Sequence, residues 1–416
     1  MANGGTPEKI QTRCCITVGG PAGMMLGFLL ARTGVPVVVL EKHADFLRDF
    51  RGDTVHPSTL EVIYELGLLD EFLKIPHTEV RQAGGQIGDK LFDIADFSHL
   101  PTHCKFIALM PQWDLLNFLA AHGKRYPAFH LRMQAEATDL IEENARVVGV
   151  RAKTPQGALE VRAELVVGAD GRHSTVRAKA ELPSEDFGAP MDVLWMRLSH
   201  KPSDPLQTLG RIDAGRMMVT FNRGEYWQCA FVIPKGGIEK IRARGLPAFR
   251  EDVVQMAPHF RGRVDELKTW DDIKLLTVTV DRLTRWFRPG LLCIGDAAHA
   301  MSPIGGVGIN LAIQDTVATA NILASAFLRA GGVTTDDLAR VQRRRDLPAR
   351  VTQRVQLAVQ NRVISHVLSG QKIKPPWILN LTQQWPVLRR IPAYAVGIGF
   401  RPEHVRTRKC DGAADG

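Results

Sequence analysis

Cysteine is scarce in this chain: six in 416 residues, at 14, 15, 104, 229, 293 and 410, with no C-x-x-C pair and no His/Cys ligand spacing. That argues against a disulfide framework, leaves no metal site to expect, and favours a reducing compartment. No stretch reaches 18 uninterrupted apolar residues, so no transmembrane helix is expected. The opening Met1–Arg13 is polar, with Gly and Pro, and lacks the apolar run of a signal peptide; a cytoplasmic protein is the expectation. Lys and Arg number 53 against 44 Asp and Glu, a net charge of +9, yet no basic block is interleaved with aromatics. Nucleic acid is therefore not the expected partner, and the excess suits small anionic ligands. There is no internal repeat and no low-complexity segment. With 45% hydrophobic and 23% charged residues, the chain is an ordinary globular protein with room for two or three domains.

What is present begins with strand, glycine turn, helix and strand. Arg13–Val18 is a short, mostly apolar, partly β-branched run. Gly19-Gly20-Pro21-Ala22-Gly23 breaks it, Met24–Arg32 reads as a helix, and Val35–Leu40 as a second strand ending at Glu41. This is a dinucleotide-binding opening. Ser58 and Glu61 have the spacing of a capping box for a helix running to about Gly67. Arg216–Phe221 and Trp227–Ile233 alternate on either side of Arg223-Gly224, which predicts a hairpin. Long helices are predicted over Gly308–Ala330 and Thr335–Leu368.

Three glycine-acid motifs follow strands. In the first, Gly20 and Gly23 fit the last two glycines of G-x-G-x-x-G, Val18 stands at the first, and Glu41 lies 18 residues after Gly23. Helix-terminal amides there receive a pyrophosphate and the acid accepts from ribose hydroxyls. The second is Val167-Gly168-Ala169-Asp170-Gly171; the third is Leu292-Cys293-Ile294-Gly295-Asp296. In this order the motifs resemble the single-component (group A) FAD-dependent aromatic hydroxylases, the family of para-hydroxybenzoate hydroxylase and the ubiquinone-biosynthesis hydroxylases. The resemblance covers nearly the whole chain.

The resemblance implies an α/β fold: a Rossmann-like FAD-binding domain of the glutathione-reductase type, an inserted antiparallel-β substrate domain and C-terminal helices. The expected division gives residues 1–75, 109–186 and 285–370 to the FAD domain. A β-rich excursion takes 76–108, the substrate domain 187–284, and an apolar C-terminal segment and tail 371–416. The implied cofactor is non-covalent FAD, held by Gly20, Ala22, Gly23, Glu41, Lys42, Arg51, Gln112, Asp170, Gly171, Gly295 and Asp296. Pro303, Gly305 and Gly308 are expected to form the backbone environment of the flavin ring, with Ile309 and Asn310 beside it. Glycine lets backbone approach a flat ring, and helix amides starting near Gly308 suit the charge of a reduced flavin. A second G-x-G-x-x-G is missing, so NAD(P)H is expected as a transient co-substrate. The implied reaction hydroxylates a small aromatic or other electron-rich substrate with O2 through a flavin C4a-hydroperoxide. Two alternatives stay open: a flavin oxidase or dehydrogenase on the same fold, or a cofactor-depleted binding relative. The halogenase marker W-x-W-x-I-P would fall on Cys229–Pro234, and both tryptophans are missing.

Other residues carry two readings each. Gln228, on the strand with Tyr226 and Trp227, either orients substrate or packs in a sheet. His299 is either a general base or a group set against the cofactor. Arg340, Arg343, Arg344, Arg345 and Arg350, with Asp336, Asp337 and Asp346, read as one solvated, salt-bridged helix face. The apolar run Trp377–Phe400 is either a lid on the cofactor domain or a peripheral membrane contact. A monomer or a homodimer is expected.

Overall fold

The structure, a computed structural model, describes residues 7–47, 54–205, 209–213, 215–368 and 375–410. The chain opens with β1 (Glu8–Thr17), α1 (Pro21–Arg32) and β2 (Val37–Glu41). β1 and β2 run parallel, with Cys14 beside Val37 and Ile16 beside Val39. β1 begins five residues before the apolar run, because its polar first half pairs with Leu159–Ala163 at the exposed end of the sheet. α1 starts at Pro21 rather than Met24, since a proline without an N–H and with fixed φ costs nothing at the first helical position.

α2 (Pro57–Glu65) follows, but the capping box does not form. The helix begins two residues too early for it, with His56 at the N-cap: Ser58 is inside the first turn and bonds Asn310, while Glu61 bonds His103. The chain then makes a hairpin of β3 (Gln82–Ile87) and β4 (Lys90–Asp96), and returns through α3 (Gln112–Gly123) and β5 (Phe129–Met133). A meander of β6 (Glu136–Glu143), β7 (Arg146–Thr154) and β8 (Gly157–Gly168) leads to α4 (Thr175–Lys179).

Beyond it come β9 (Met191–Ser199), β10 (Leu209–Asp213), β11 (Arg216–Asn222), β12 (Tyr226–Pro234), α5 (Leu246–Met256) and β13 (Lys274–Leu276). β11 and β12 pair antiparallel around Arg223-Gly224, as the alternation predicts. β14 (Phe287–Arg288) and β15 (Leu291–Cys293) precede the long helices α6 (Gly308–Leu328) and α7 (Thr335–Val359). A π-helical turn at Gln360–Ile364 ends α7, and α8 (Trp377–Gln384) and α9 (Arg390–Gly397) lie further on.

Two large sheets result. One has the order β14-β15-β8-β1-β2-β5, with β7 and β6 continuing from β8. Its β15, β8, β1, β2 and β5 are parallel neighbours. The other runs β13-β9-β12-β11-β10-β3-β4, so the early hairpin extends the later antiparallel sheet. α6 belongs to a helix long and apolar enough to cross a membrane, yet 78% of its most apolar window is buried inside the protein, as in a core helix. All six cysteines are free. Burial pushes the Cys15 thiol up to about 12, which keeps it protonated and inert.

Candidate functional site

The first turn sits where β1 hands over to α1. Val18 has φ +74°, the left-handed region that a β-branched side chain strongly disfavours. Gly23 is needed for close packing: a Cβ there would lie 2.1 Å from the Val18 carbonyl oxygen. At Gly20 a Cβ would meet nothing within 4 Å, so the face of the turn is open. No side chain among the described residues caps α1, leaving its first amides to an outside acceptor. Ala22 is buried, and Lys42, which follows Glu41 at the end of β2, is exposed. Glu41, 3% exposed, accepts from the Gly19 amide at 3.1 Å and the His43 amide at 3.0 Å. Its carboxylate therefore braces the turn from below.

The Ile294 amide donates to the Gly168 carbonyl at 2.9 Å, which brings the second motif beside the third at Gly295. Its φ is +59°, and a Cβ there would come within 3.2 Å of the Ala312 Cβ and 3.5 Å of the Ala22 Cβ. Asp296 follows, 30% exposed, with its Oδ2 3.5 Å from the Arg172 guanidinium. A Cβ on Gly308 would lie 3.9 Å from Asp296 Oδ1, so this acid stands at the N-terminus of α6. Asp170 turns into its own loop, accepting from Ser174 Oγ at 2.5 Å and the Val176 amide at 3.1 Å. Burial raises its pKa despite those bonds. Gly171 has φ +79° and passes the chain to Arg172. Gln112 is half-buried at the start of α3. Arg51 lies outside the described residues.

The segment between β15 and α6 is held from three sides. Pro303 precedes a turn in which Gly305 has φ +77° and Gly306 φ +63°. The Gly306 carbonyl accepts from Thr54 Oγ1 at 3.2 Å. Gln356 of α7 accepts from the Ser302 amide at 3.2 Å and donates to the carbonyls of Ser302 (2.9 Å) and Ile304 (2.8 Å). Gln353, one turn earlier, donates to the Ala300 carbonyl at 3.1 Å. α6 then starts at Gly308 with no side-chain cap among the described residues and no acid in its first turn. Ile309 is half-buried, and Asn310 Oδ1 accepts from Ser58 Oγ (2.5 Å) and Thr59 Oγ1 (3.0 Å). His56, fully buried, donates Nδ1–H to the Val396 carbonyl at 2.8 Å. Burial lowers its pKa to about 4, so the ring is neutral near pH 7. Its Nε2 has no hydrogen-bond partner among the described residues and lies 3.6 Å from where a Gly306 Cβ would be.

Two readings of the helices need correction. Arg345 is not on a solvated face: it is 0% exposed and bonds Asp315 Oδ1 at 2.9 Å. His299 turns inward, its Nε2 2.6 Å from Asp315 Oδ2 and its ring 4.9 Å from that of Trp286. Asp315, Gln353 and Gln356 escaped sequence reasoning. For the two glutamines the available signal was the spacing 345, 349, 353, 356 along α7, continued at 360 in the π turn, a helical stripe whose polar members are buried.

The second sheet presents one face toward this segment. Trp195, Arg197, Val219, Phe221, Gln228 and Ala230 share that face by register. Trp195 stacks on Phe221 with centroids 6.1 Å apart, and Phe221 packs in the same cluster as Val396 of α9. Gln228, 3% exposed, accepts from Arg223 Nε at 3.3 Å, and Arg197 lies over the Tyr226 ring at 4.7 Å. An aromatic wall with two guanidinium groups at one end results.

Residues 11–355 match the FAD binding domain family. The 6-methylpretetramide 4-monooxygenase of Streptomyces rimosus is 31% identical over 389 residues, 92% of this chain and 93% of that protein. A para-nitrophenol 4-monooxygenase of a Pseudomonas strain is 24% identical over 79% of this chain and 81% of its own length. Among solved structures, a probable FAD-dependent monooxygenase of Pseudomonas aeruginosa superposes with a TM-score of 0.73 at 21% identity. It covers 86% of this chain and 99% of its own, a likeness of fold.

Proposed function

The chain belongs to the FAD-binding-domain family of flavin-dependent monooxygenases, and from that membership we propose that it hydroxylates an aromatic compound bearing an acidic oxygen, with NAD(P)H and O2 as co-substrates. The observation that carries this reading is the meeting of the three glycine-acid motifs around Ile294–Asp296, followed by a segment whose Ile304 packs with Trp195 and Phe221 on a sheet face that ends in guanidinium groups. The open face at Gly20 and the uncapped amides of α1 fit the pyrophosphate of FAD. Bound FAD supplies the electron transfer and oxygen activation, which no side chain offers.

The protein's own residues bind, orient and exclude water. Gly20, Ala22, Gly23 and Glu41 cradle the ADP half, with Lys42, Gln112, Asp170 and Gly171 flanking it. Gly295 and Asp296 hold the chain that leads to the ring. Pro303, Gly305, Gly308, Ile309 and Asn310 border the ring, where the N-terminal end of α6 stabilises negative charge. Neutral His56 adds no competing charge beside Gly306. Arg197 and Arg223 attract an ionised phenol or enol, Gln228 orients it, and Trp195 and Phe221 stack on its ring.

Purified protein should be yellow, release FAD on acid precipitation, and consume NAD(P)H faster when given 6-methylpretetramide or smaller phenols. Label from 18O2 should appear in the product. Colourless protein that takes up no FAD, or substrate turnover without label, overturns the reading; the second outcome would favour an oxidase or dehydrogenase.

We also place the enzyme in the cytoplasm, where its free thiols, five of them buried, stay reduced. We assign the C-terminal segment to a peripheral membrane contact, because it exposes the large apolar side chains of Trp377 (73% exposed), Trp385 (61%) and Ile391 (67%) close in sequence to Arg389 and Arg390.

A further inference from the structure

Asp315 lies two turns inside α6 and is 0% exposed. A buried carboxylate persists only if its lone pairs are satisfied, and this one has three donors, two from the 295–299 turn and one from α7. Oδ2 accepts from the Gly295 amide at 3.2 Å and from His299 Nε2 at 2.6 Å; Oδ1 accepts from Arg345 Nε at 2.9 Å. Burial alone would raise the Asp315 pKa, but the His299 and Arg345 partners hold it below the usual carboxylate value.

Arg345 carries the connection further. Its Nη1 donates to the Arg401 carbonyl at 3.2 Å and lies 3.5 Å from Glu403 Oε1. Arg401 is itself held at φ +53°, an unusual state for an arginine. Glu403 also accepts from Arg344 Nε at 2.5 Å, and its amide donates to Gln314 Oε1, the neighbour of Asp315 on α6. One carboxylate thus joins the Gly295 turn, α6, α7 and the stretch 401–403, which follows the apolar C-terminal helices.

A buried ion pair is often scaffold and nothing more. Here the third bond sets it apart. It goes to the backbone amide of Gly295, one residue before Asp296, in a turn whose left-handed φ has no stabilising side chain of its own. We infer that Asp315 is a positioning residue for the cofactor: it fixes the turn from which Asp296 projects at the N-terminus of α6, and through Arg345 and Glu403 it makes that fix depend on the docked C-terminal stretch. This rests on the assignment of FAD to the site.

The balance of bonds states what each change does. In Asp315→Asn the side chain keeps one acceptor oxygen and gains an NH2 that faces donors, so either Gly295 or Arg345 loses its partner. In Glu403→Gln the Asp315 carboxylate is intact and only the link to the C-terminal stretch weakens. Asp204, paired with Arg263 at 2.6 Å and also buried, lies in the other sheet region and provides a control of similar chemistry.

The test compares full-length wild type with Asp315→Asn, Glu403→Gln and Asp204→Asn. It measures FAD dissociation constants by fluorescence quenching, the visible circular dichroism of bound flavin, and melting temperature. Losing a hydrogen bond to a charged group predicts a roughly tenfold or greater rise in the FAD dissociation constant for Asp315→Asn. Its flavin dichroism should also change. Glu403→Gln should show a smaller rise in the same direction, and this second variant carries the test if Asp315→Asn does not fold. Asp204→Asn should lower the melting temperature while binding FAD as wild type does. Wild-type affinity and dichroism in Asp315→Asn, or an equal loss in Asp204→Asn, overturns the positioning role alone. Wild-type protein that takes up no FAD overturns the proposed function and this inference with it.

Discussion

Val18 is the residue at which this chain departs from the dinucleotide fingerprint, and the structure shows what the departure costs. A glycine would occupy φ +74° freely; valine sits there between Thr17, paired in β1, and Gly19, whose amide donates to Glu41. A non-glycine residue in that region stores about 1–3 kcal/mol, offset here by the packing of α1 on β1. Val18 lies past the end of β1 at Thr17, so strand propensity gives it no compensation. We therefore expect Val18→Gly to tighten FAD by about 1 kcal/mol, as read by titrating apo-protein, and to raise the melting temperature rather than lower it. Unchanged affinity would mean that the loop relaxes at no loss. His56 gives a second residue-scale expectation. Its pKa is near 6.5 unfolded and about 4 folded, so the unfolded chain binds the extra proton between those values. Stability should be fully present above pH 6.5 and fall by about 3 kcal/mol as pH drops toward 4. Urea titrations at pH 7 and pH 4.5 should show that loss, and His56→Gln should flatten the difference.

At the scale of elements, α7 does what its sequence concealed. Thr335–Val359 contains a proline at 348 and alternates charges, which reads as a solvent-facing rod. The structure instead buries Gln353 and Gln356 against the 300–304 segment, and Arg345 against Asp315 and the Arg401 carbonyl, because each can satisfy polar groups that no helix or strand pairs. Gln356→Leu removes the donor to two carbonyls and the acceptor for one amide. A loss of about 1–3 kcal/mol in stability is expected, with altered flavin dichroism from the shifted 302–304 backbone. Thr334, the N-cap of the same helix, forms a capping box with Asp337. Thr334→Ala should cost about 1 kcal/mol and leave the flavin spectrum unchanged, which separates an element's stability from its role at the site.

For the whole molecule, the exposed apolar side chains of the C-terminal segment set the remaining prediction. The triple change Trp377→Ser, Trp385→Ser and Ile391→Ser should abolish co-sedimentation with anionic phospholipid vesicles while leaving the chain folded and FAD-bound. Wild-type protein that stays in the supernatant, or sediments only as a dimer in vesicle-free buffer, would rule out the membrane contact. The sequence by itself determined the βαβ opening, the three strand-ended motifs, the hairpin at Arg223-Gly224 and hence the family. These are local: a glycine turn, a period of two and a helix start are each written in consecutive residues. Tertiary structure alone decided the strain at Val18, the inward turn of His299 and the burial of Arg345. It also bonded Ser58 to Asn310 and added the 82–96 hairpin to the later sheet. Each depends on a partner many positions away, such as Asp315 for Arg345 or Leu209–Ile212 for the 84–87 strand. A buried charge and a solvated one look alike in sequence until the chain supplies the opposing carboxylate.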